Sequence, residues 1–408
     1  MNRVPEFSPA AAPLAALYLL GYLFIALPLL DMLTGYLVLG GHITEGSVGS
    51  PSQLGRLLAI LALIFWIRKM HQWLTLTLVV AYGVAVEAVS AIYHSNTSGF
   101  LYGMVVVYKL AYPIILLFFL QQFMLDRGRV QLLNKFFATS LIIISVSLFL
   151  AAIFGFGYKT YGSGSGVKGY FSSGNTLGLY LGFGSLYLAT SKRYGLTEIG
   201  NLSLWFLTLS VLLVGTKTAF IFAATTTAVL IANVRRKSIM IPALCLGMIG
   251  VLSVTWQSLI KAFDVVLWRL DRSESFISFL GSGRIDYVFQ AFSSFLKQDV
   301  GIFRLAFGAG GYVSFRPYDT TMPFDALETD LFDLFFMYGS VALLAYIAVL
   351  SVAAFRLKGR LQLMGAFILL AGHSIIAGHT LYSGLMSACL SMCVALSSYH
   401  YRMNAKND

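Results

Sequence analysis

Long apolar runs separated by short polar connectors make up nearly the whole chain. Runs almost free of charge fall near 14–33, 54–67, 74–93, 101–124, 136–157, 176–191, 201–215, 218–234, 239–257, 329–354, 361–379 and 381–399. About 20 mostly apolar residues suffice to cross a bilayer as a helix, so these runs predict an all-α polytopic membrane protein with about twelve transmembrane helices. The run at 14–33 has the look of a signal sequence, but it is long and no small-x-small cleavage site follows it, so it is read as a retained first span. With no internal repeat, heptad or linker, residues 1–408 read as one integral membrane domain.

One connection is long, 258–328, between the ninth and tenth spans. Within it Ile285, Val288, Phe289, Phe292 and Phe295 recur at helical spacing, which predicts an amphipathic helix lying on the membrane or roofing a cavity. Leu259, Phe263, Val266, Leu267 and Leu270 repeat the pattern more weakly. Charged residues of both signs crowd this loop, making it the expected seat of any chemistry.

Composition agrees: 58% of the 408 residues are hydrophobic and 11% charged. The formal charge of +11 would raise nucleic-acid binding in a soluble protein, but its distribution carries a different message. Every second connection is basic: Arg68 and Lys69; Arg127, Arg129 and Lys135; Lys192 and Arg193; Arg235, Arg236 and Lys237; Arg356, Lys358 and Arg360. Arg3, Arg402 and Lys406 join them in the tails, whereas the short loops opposite hold only Arg56, Lys159, Lys168 and Lys217. By the positive-inside rule both termini are cytoplasmic and loop 258–328 faces outward, which in a bacterial inner membrane is the periplasm. The excess charge is thus topological and argues nothing about nucleic acid, which is not expected as a partner. Cys245, Cys389 and Cys393 lie in apolar runs, and no metal-ligand spacing or Walker motif occurs, so no disulfide framework, metal or cofactor is expected.

Several polar groups stand out on the outward side. Gly162 to Asn175 contains a formal G-x-G-x-x-G at Gly164, Gly166 and Gly169, but it lies between two spans and not in a βαβ unit. It reads either as a plain flexible loop or, with Lys168, as an anion-binding concavity. Lys217, in the tight turn Gly215-Thr-Lys-Thr-Ala219, is either a snorkelling anchor or a second cation on the same side. Arg284 follows Gly283 at the start of the amphipathic helix, as a solvated residue or as a bidentate phosphate ligand. Asp325, Glu328, Asp330 and Asp333 open the tenth span, where carboxylates complement a helix dipole. Asp330 and Asp333 share a helical face while Glu328 points elsewhere, and Asp333 is a candidate cavity-lining group; a carboxylate of this cluster that faces an outward cavity beside cations, Glu328 among them, can accept a proton from a sugar hydroxyl. Within the spans, Glu87 and Lys109 are the ionisable residues singled out, read as a buried ion pair or as the lining of an outward cavity. His373 and His379 are read as satisfied helix residues, His379 near the outer surface and so another possible cavity-lining group.

Taken in order, Lys168-Gly-Tyr-Phe-Ser-Ser-Gly-Asn175, Gly215-Thr-Lys-Thr-Ala219, Gly283-Arg284, Gly308-Ala-Gly310 and Glu328-Thr-Asp-Leu-Phe-Asp333 followed by Tyr338-Gly339 resemble the O-antigen polymerase and O-antigen ligase superfamily. These Wzy/WaaL-type membrane glycosyltransferases, of GT-C-like architecture, use glycans linked to polyprenyl diphosphate. The resemblance covers about residues 160 to 355. It implies that Lys168, Lys217 and Arg284 contact the diphosphate, and that Glu328, with Asp330 second, serves as the catalytic base. Ligases typically carry arginines where Lys168 and Lys217 stand, and a histidine where Glu328 stands, so the pattern looks more like a polymerase. The implied partners are an undecaprenyl-diphosphate-linked oligosaccharide, membrane lipid and a chain-length regulator protein. A ligase acting on lipid A-core or protein is the alternative within the family. A twelve-span transporter using Glu87, Lys109 and the histidines is the alternative from another class.

Overall fold

The computed structural model describes residues 13–44, 49–94, 97–162, 164–233, 271, 283–298, 300–317 and 326–404. It is a helical membrane protein, with one two-stranded hairpin as the sheet structure among those residues. Helices occupy eleven of the twelve expected positions; the ninth, 239–257, lies outside the described residues, as do Asp325, Cys245 and the 259–270 pattern. Among the described residues, five helices are long and apolar enough to cross a membrane: Leu14–Leu39, Met70–Tyr93, Thr97–Phe123, Arg127–Phe154 and Asp330–Leu357.

The chain forms two compact units. The first, Met1–Ala62 with Gln122–Val266, contains α1 (Leu14–Leu39, π-helical at Tyr22–Ala26), most of α2 (Pro51–Ile64) and α5 (Arg127–Phe154). It continues with the hairpin β1 (Tyr158–Lys159) and β2 (Val167–Gly169), then α6 (Gly174–Arg193), α7 (Asn201–Val214) and α8 (Lys217–Asn233). Helix α5 starts where the Asp126 side chain accepts from Arg129 N–H at 2.9 Å and stops at Gly155. Helix α6 is buried on nearly every side from Leu177 to Ser191. Its glycines let neighbours come close, Gly182 against Phe222 and Gly184 against Leu141.

The second unit, Leu63–Gln121 with Leu267–Asp408, contains α3 (Met70–His94) and most of α4 (Thr97–Phe123). Three short helices follow in chain order, α9 (Arg284–Leu296), α10 (Ile302–Phe307) and α11 (Gly310–Val313). The last three are α12 (Asp330–Leu357), α13 (Leu361–Ala377) and α14 (Gly384–Asn404). Helix α14, rich in serine and other small residues, is buried from Leu385 to Ser397.

The amphipathic segment of the long loop is helical, as α9, and it rests on protein. Phe292 and Phe295 pack against Phe335 and Phe336 of α12, with centroid separations of 4.9–6.1 Å. Phe289 departs from the expected stripe and points outward, 69% exposed.

Candidate active site

The N-terminal turn of α12 assembles the site of the second unit. Arg284 is the first residue of α9, following Gly283, whose φ of 82° suits only glycine without strain. The aromatic contacts of α9 with α12 aim this helix start at the residues just before α12. Arg284 Nε donates to Glu328 Oε2 at 2.7 Å, and Nη2 donates to the same oxygen. Nη2 also lies 3.1 Å from His379 Nε2, which is itself 3.7 Å from Glu328 Oε2. A guanidinium can only donate, so Nε2 is the unprotonated nitrogen of the ring. Burial pulls the imidazole below its ordinary pKa, against the opposing pull of Glu328, and so favours this neutral form. Glu328 is half exposed, its Oε1 makes no hydrogen bond among the described residues, and the Arg284 and His379 side chains are mostly buried.

The backbone here is unusual. Three non-glycine residues among those described have positive φ, and two belong to this site: Glu328 at 58° and His379 at 62°. Such residues cost about 1–3 kcal/mol each and tend to persist at functional sites. The two segments touch: a Cβ on Gly378, itself at φ 60°, would run into the carbonyl of Glu328. Helix α13 ends at Ala377, so His379 is a loop residue and not the helical one expected from the sequence.

The structure changes the reading of Asp330. It was the second candidate base, but it is 1% exposed, and one oxygen, Oδ2, accepts from Ser374 Oγ, Thr380 N–H and Leu381 N–H. A carboxylate so enclosed has no access to a substrate hydroxyl. Asp333 is 2% exposed and accepts from Leu327 and Thr329 N–H, so it too lines no open cavity.

Glu87 is not paired with Lys109 among the described residues, contrary to the expected pairing. Glu87 Oε1 instead accepts from Gly311 N–H at 2.8 Å and from the Tyr338 hydroxyl at 2.7 Å, tying α3 to α11 and α12. Glu87→Ala should strand two buried donors and lower stability by about 2–4 kcal/mol, whereas Glu87→Gln, which keeps an acceptor oxygen, should cost less than half as much. Thermal melting of the purified variants checks both.

In the first unit, Lys168 lies on β2 and its Nζ donates to Ser172 O at 2.9 Å, closing the loop into α6. Lys217 is the first residue of α8. The backbones of their two motifs meet: a Cβ on Gly215 would lie 3.1 Å from Gly166 Cα, and Thr160 Oγ1 donates to Val214 O at 2.7 Å. Lys168 and Lys217 each stand two residues along the chain from that meeting point, at Gly166 and Gly215 respectively.

The same unit holds an ion pair that the sequence does not single out. Asp31, inside the first apolar run, is paired with Arg56, which lies on helix α2 and not in the outer loop expected from the sequence. A single carboxylate within an otherwise apolar run was the available signal.

Comparison with models of known protein families gives no match, and comparison with curated proteins gives none either.

Proposed function

We propose that the chain is a glycosyltransferase of the bacterial inner membrane, an O-antigen or exopolysaccharide polymerase. It transfers a glycan from polyprenyl diphosphate to a hydroxyl of a lipid-linked repeat unit on the periplasmic face. The observation that carries this reading is the convergence of Arg284, Glu328 and His379 at the start of a membrane-spanning helix. It joins a half-exposed carboxylate to a planar cation suited to phosphate oxygens. In this reading the chain crosses the membrane about twelve times, both termini are cytoplasmic, and the segment before α12 faces outward.

The acceptor hydroxyl gives its proton to Glu328 Oε1, and its oxygen bonds to the anomeric carbon of the donor glycan. The bond from that carbon to the diphosphate breaks, and the electron pair leaves with the diphosphate. Arg284 offsets the charge that develops there. By the resemblance, Lys168 and Lys217 are further cations for the same diphosphate. The donor is already activated, so the step calls for no metal or nucleotide.

A carboxylate at position 328, in place of the histidine typical of ligases, favours polymerase over ligase. A deletion strain tests both. Its surface glycolipids should retain single-unit forms and lose the longer ladder. Loss of every glycosylated form would make the protein a ligase, and an unchanged ladder would leave transport as the function.

A further inference from the structure

We infer that Asp330 and Asp333 are the positioning residues of the Arg284–Glu328–His379 centre, each holding one of its two left-handed residues in place. The geometry stands by itself; only the catalytic readout rests on the transferase reading.

One helical turn apart on α12, the two carboxylates work on different segments. Asp333 brackets Glu328: Oδ1 accepts from Leu327 N–H at 2.9 Å and Oδ2 from Thr329 N–H at 3.2 Å, one residue before and one after. Asp330 secures the other segment, its Oδ2 accepting from Thr380 N–H at 2.9 Å and Leu381 N–H at 3.0 Å, the two residues that follow His379. On the preceding side His373 Nδ1 donates to Gly378 O at 3.2 Å. Ser374 Oγ, bonded to Asp330 at 2.7 Å, lies 2.9 Å from the Tyr346 hydroxyl, so the clamp is itself anchored between α12 and α13.

A left-handed non-glycine residue relaxes unless its surroundings hold it. Here the flanking amides on both strained residues are tied to a single turn of one helix. That common anchor sets the 3.7 Å approach of His379 Nε2 to Glu328 Oε2 and leaves Arg284 to bridge them. Because both aspartates are buried beneath the segments they hold, they act through Glu328 and His379 and not on the substrate.

The test uses the full-length protein in lipid nanodiscs, with a lipid-linked oligosaccharide as donor and acceptor, and rates normalised to folded protein. Asp330→Ala and Asp333→Ala should lower kcat about 100-fold while the donor KM moves less than about threefold, as expected for misplaced catalytic groups. Asp330→Asn, whose single amide oxygen can still accept from both Thr380 and Leu381 N–H, should stay within about fivefold of wild type, whereas Asp333→Asn keeps an acceptor for only one of its two amides and should fall between wild type and Asp333→Ala. An Asp330→Asn variant as inactive as Asp330→Ala would overturn the inference, since the charge itself would then be needed. So would alanine variants that fold in lower yield but turn over normally. A wild-type chain that transfers no glycan sinks the functional reading alone. Positioning is then decided by the His379 imidazole NMR signal, expected to move in Asp330→Ala and to hold in Asp330→Asn.

Discussion

Glu328→Gln should insert and melt like the wild-type chain yet transfer glycan at least about 100-fold more slowly, the usual contribution of a general base. The glutamine retains an oxygen for Arg284, so the fold of the site survives while the position of Oε1 becomes an amide NH2 that cannot take a proton. Arg284→Lys should be nearly as damaging. One planar fork reaches Glu328 through Nε and Nη2 and His379 through Nη2, whereas an ammonium is a single point of charge that cannot span both. Transfer of a labelled lipid-linked oligosaccharide by purified protein measures each loss. Acid should mimic part of the Arg284 defect. Since burial lowers the His379 pKa, its neutral form belongs to the folded site, and that contribution is intact above the ordinary imidazole range, about 6.5. It is lost as pH falls through the lowered value, when a protonated ring would repel Arg284. Full transfer by Glu328→Gln would remove the carboxylate from the mechanism.

Where the apolar runs lie was legible in the sequence because hydropathy and helix length report the same physical quantity, the thickness of the bilayer. Boundaries were less legible. Helix α5 begins at Arg127 and not near 136, since Asp126 caps it and basic side chains extend a helix into the interface without adding to an apolar count. Helices α6 and α14 are not among the five long apolar ones because each is surrounded by protein, where glycine and serine pack as well as leucine. Arg284, Glu328 and His379 could each be singled out from the sequence. Their meeting could not, since 44 and 95 positions separate Arg284 from its two partners and left-handed turns at non-glycine residues bring them together. Glu87 finds Tyr338 across 251 positions, a pairing that no local pattern encodes.

Gly339→Ala should be the most destabilising single methyl in the second unit, costing more than about 4 kcal/mol and leaving little folded protein in the membrane. Helix α12 is broken at Gly339, whose φ of 72° and ψ of −176° are open essentially to glycine alone. Across the break sits Gly308, at φ 84° and ψ −170°, so that two glycines in the same positive-φ conformation face each other. A Cβ on either would enter the other's backbone, at the Ala306 carbonyl for Gly339 and the Met337 carbonyl for Gly308. A broken helix exposes carbonyls that hydrocarbon cannot satisfy. Here Phe336 O accepts from Ala309 N–H at 3.2 Å and Tyr338 O from the Tyr82 hydroxyl at 2.6 Å. The break therefore depends on α10, α11 and α3 all remaining close, and an added methyl separates them. Gly365→Ala on α13, with open space at its Cβ, serves as the control and should be neutral or stabilising by up to about 1 kcal/mol. Detergent-solubilised melting and the yield of membrane-inserted protein measure both variants; a Gly339→Ala chain that melts with wild type would mean that α12 is continuous. Because Tyr338 also donates to Glu87, which in turn accepts from Gly311 N–H, straightening α12 would pull on α3 and α11 together.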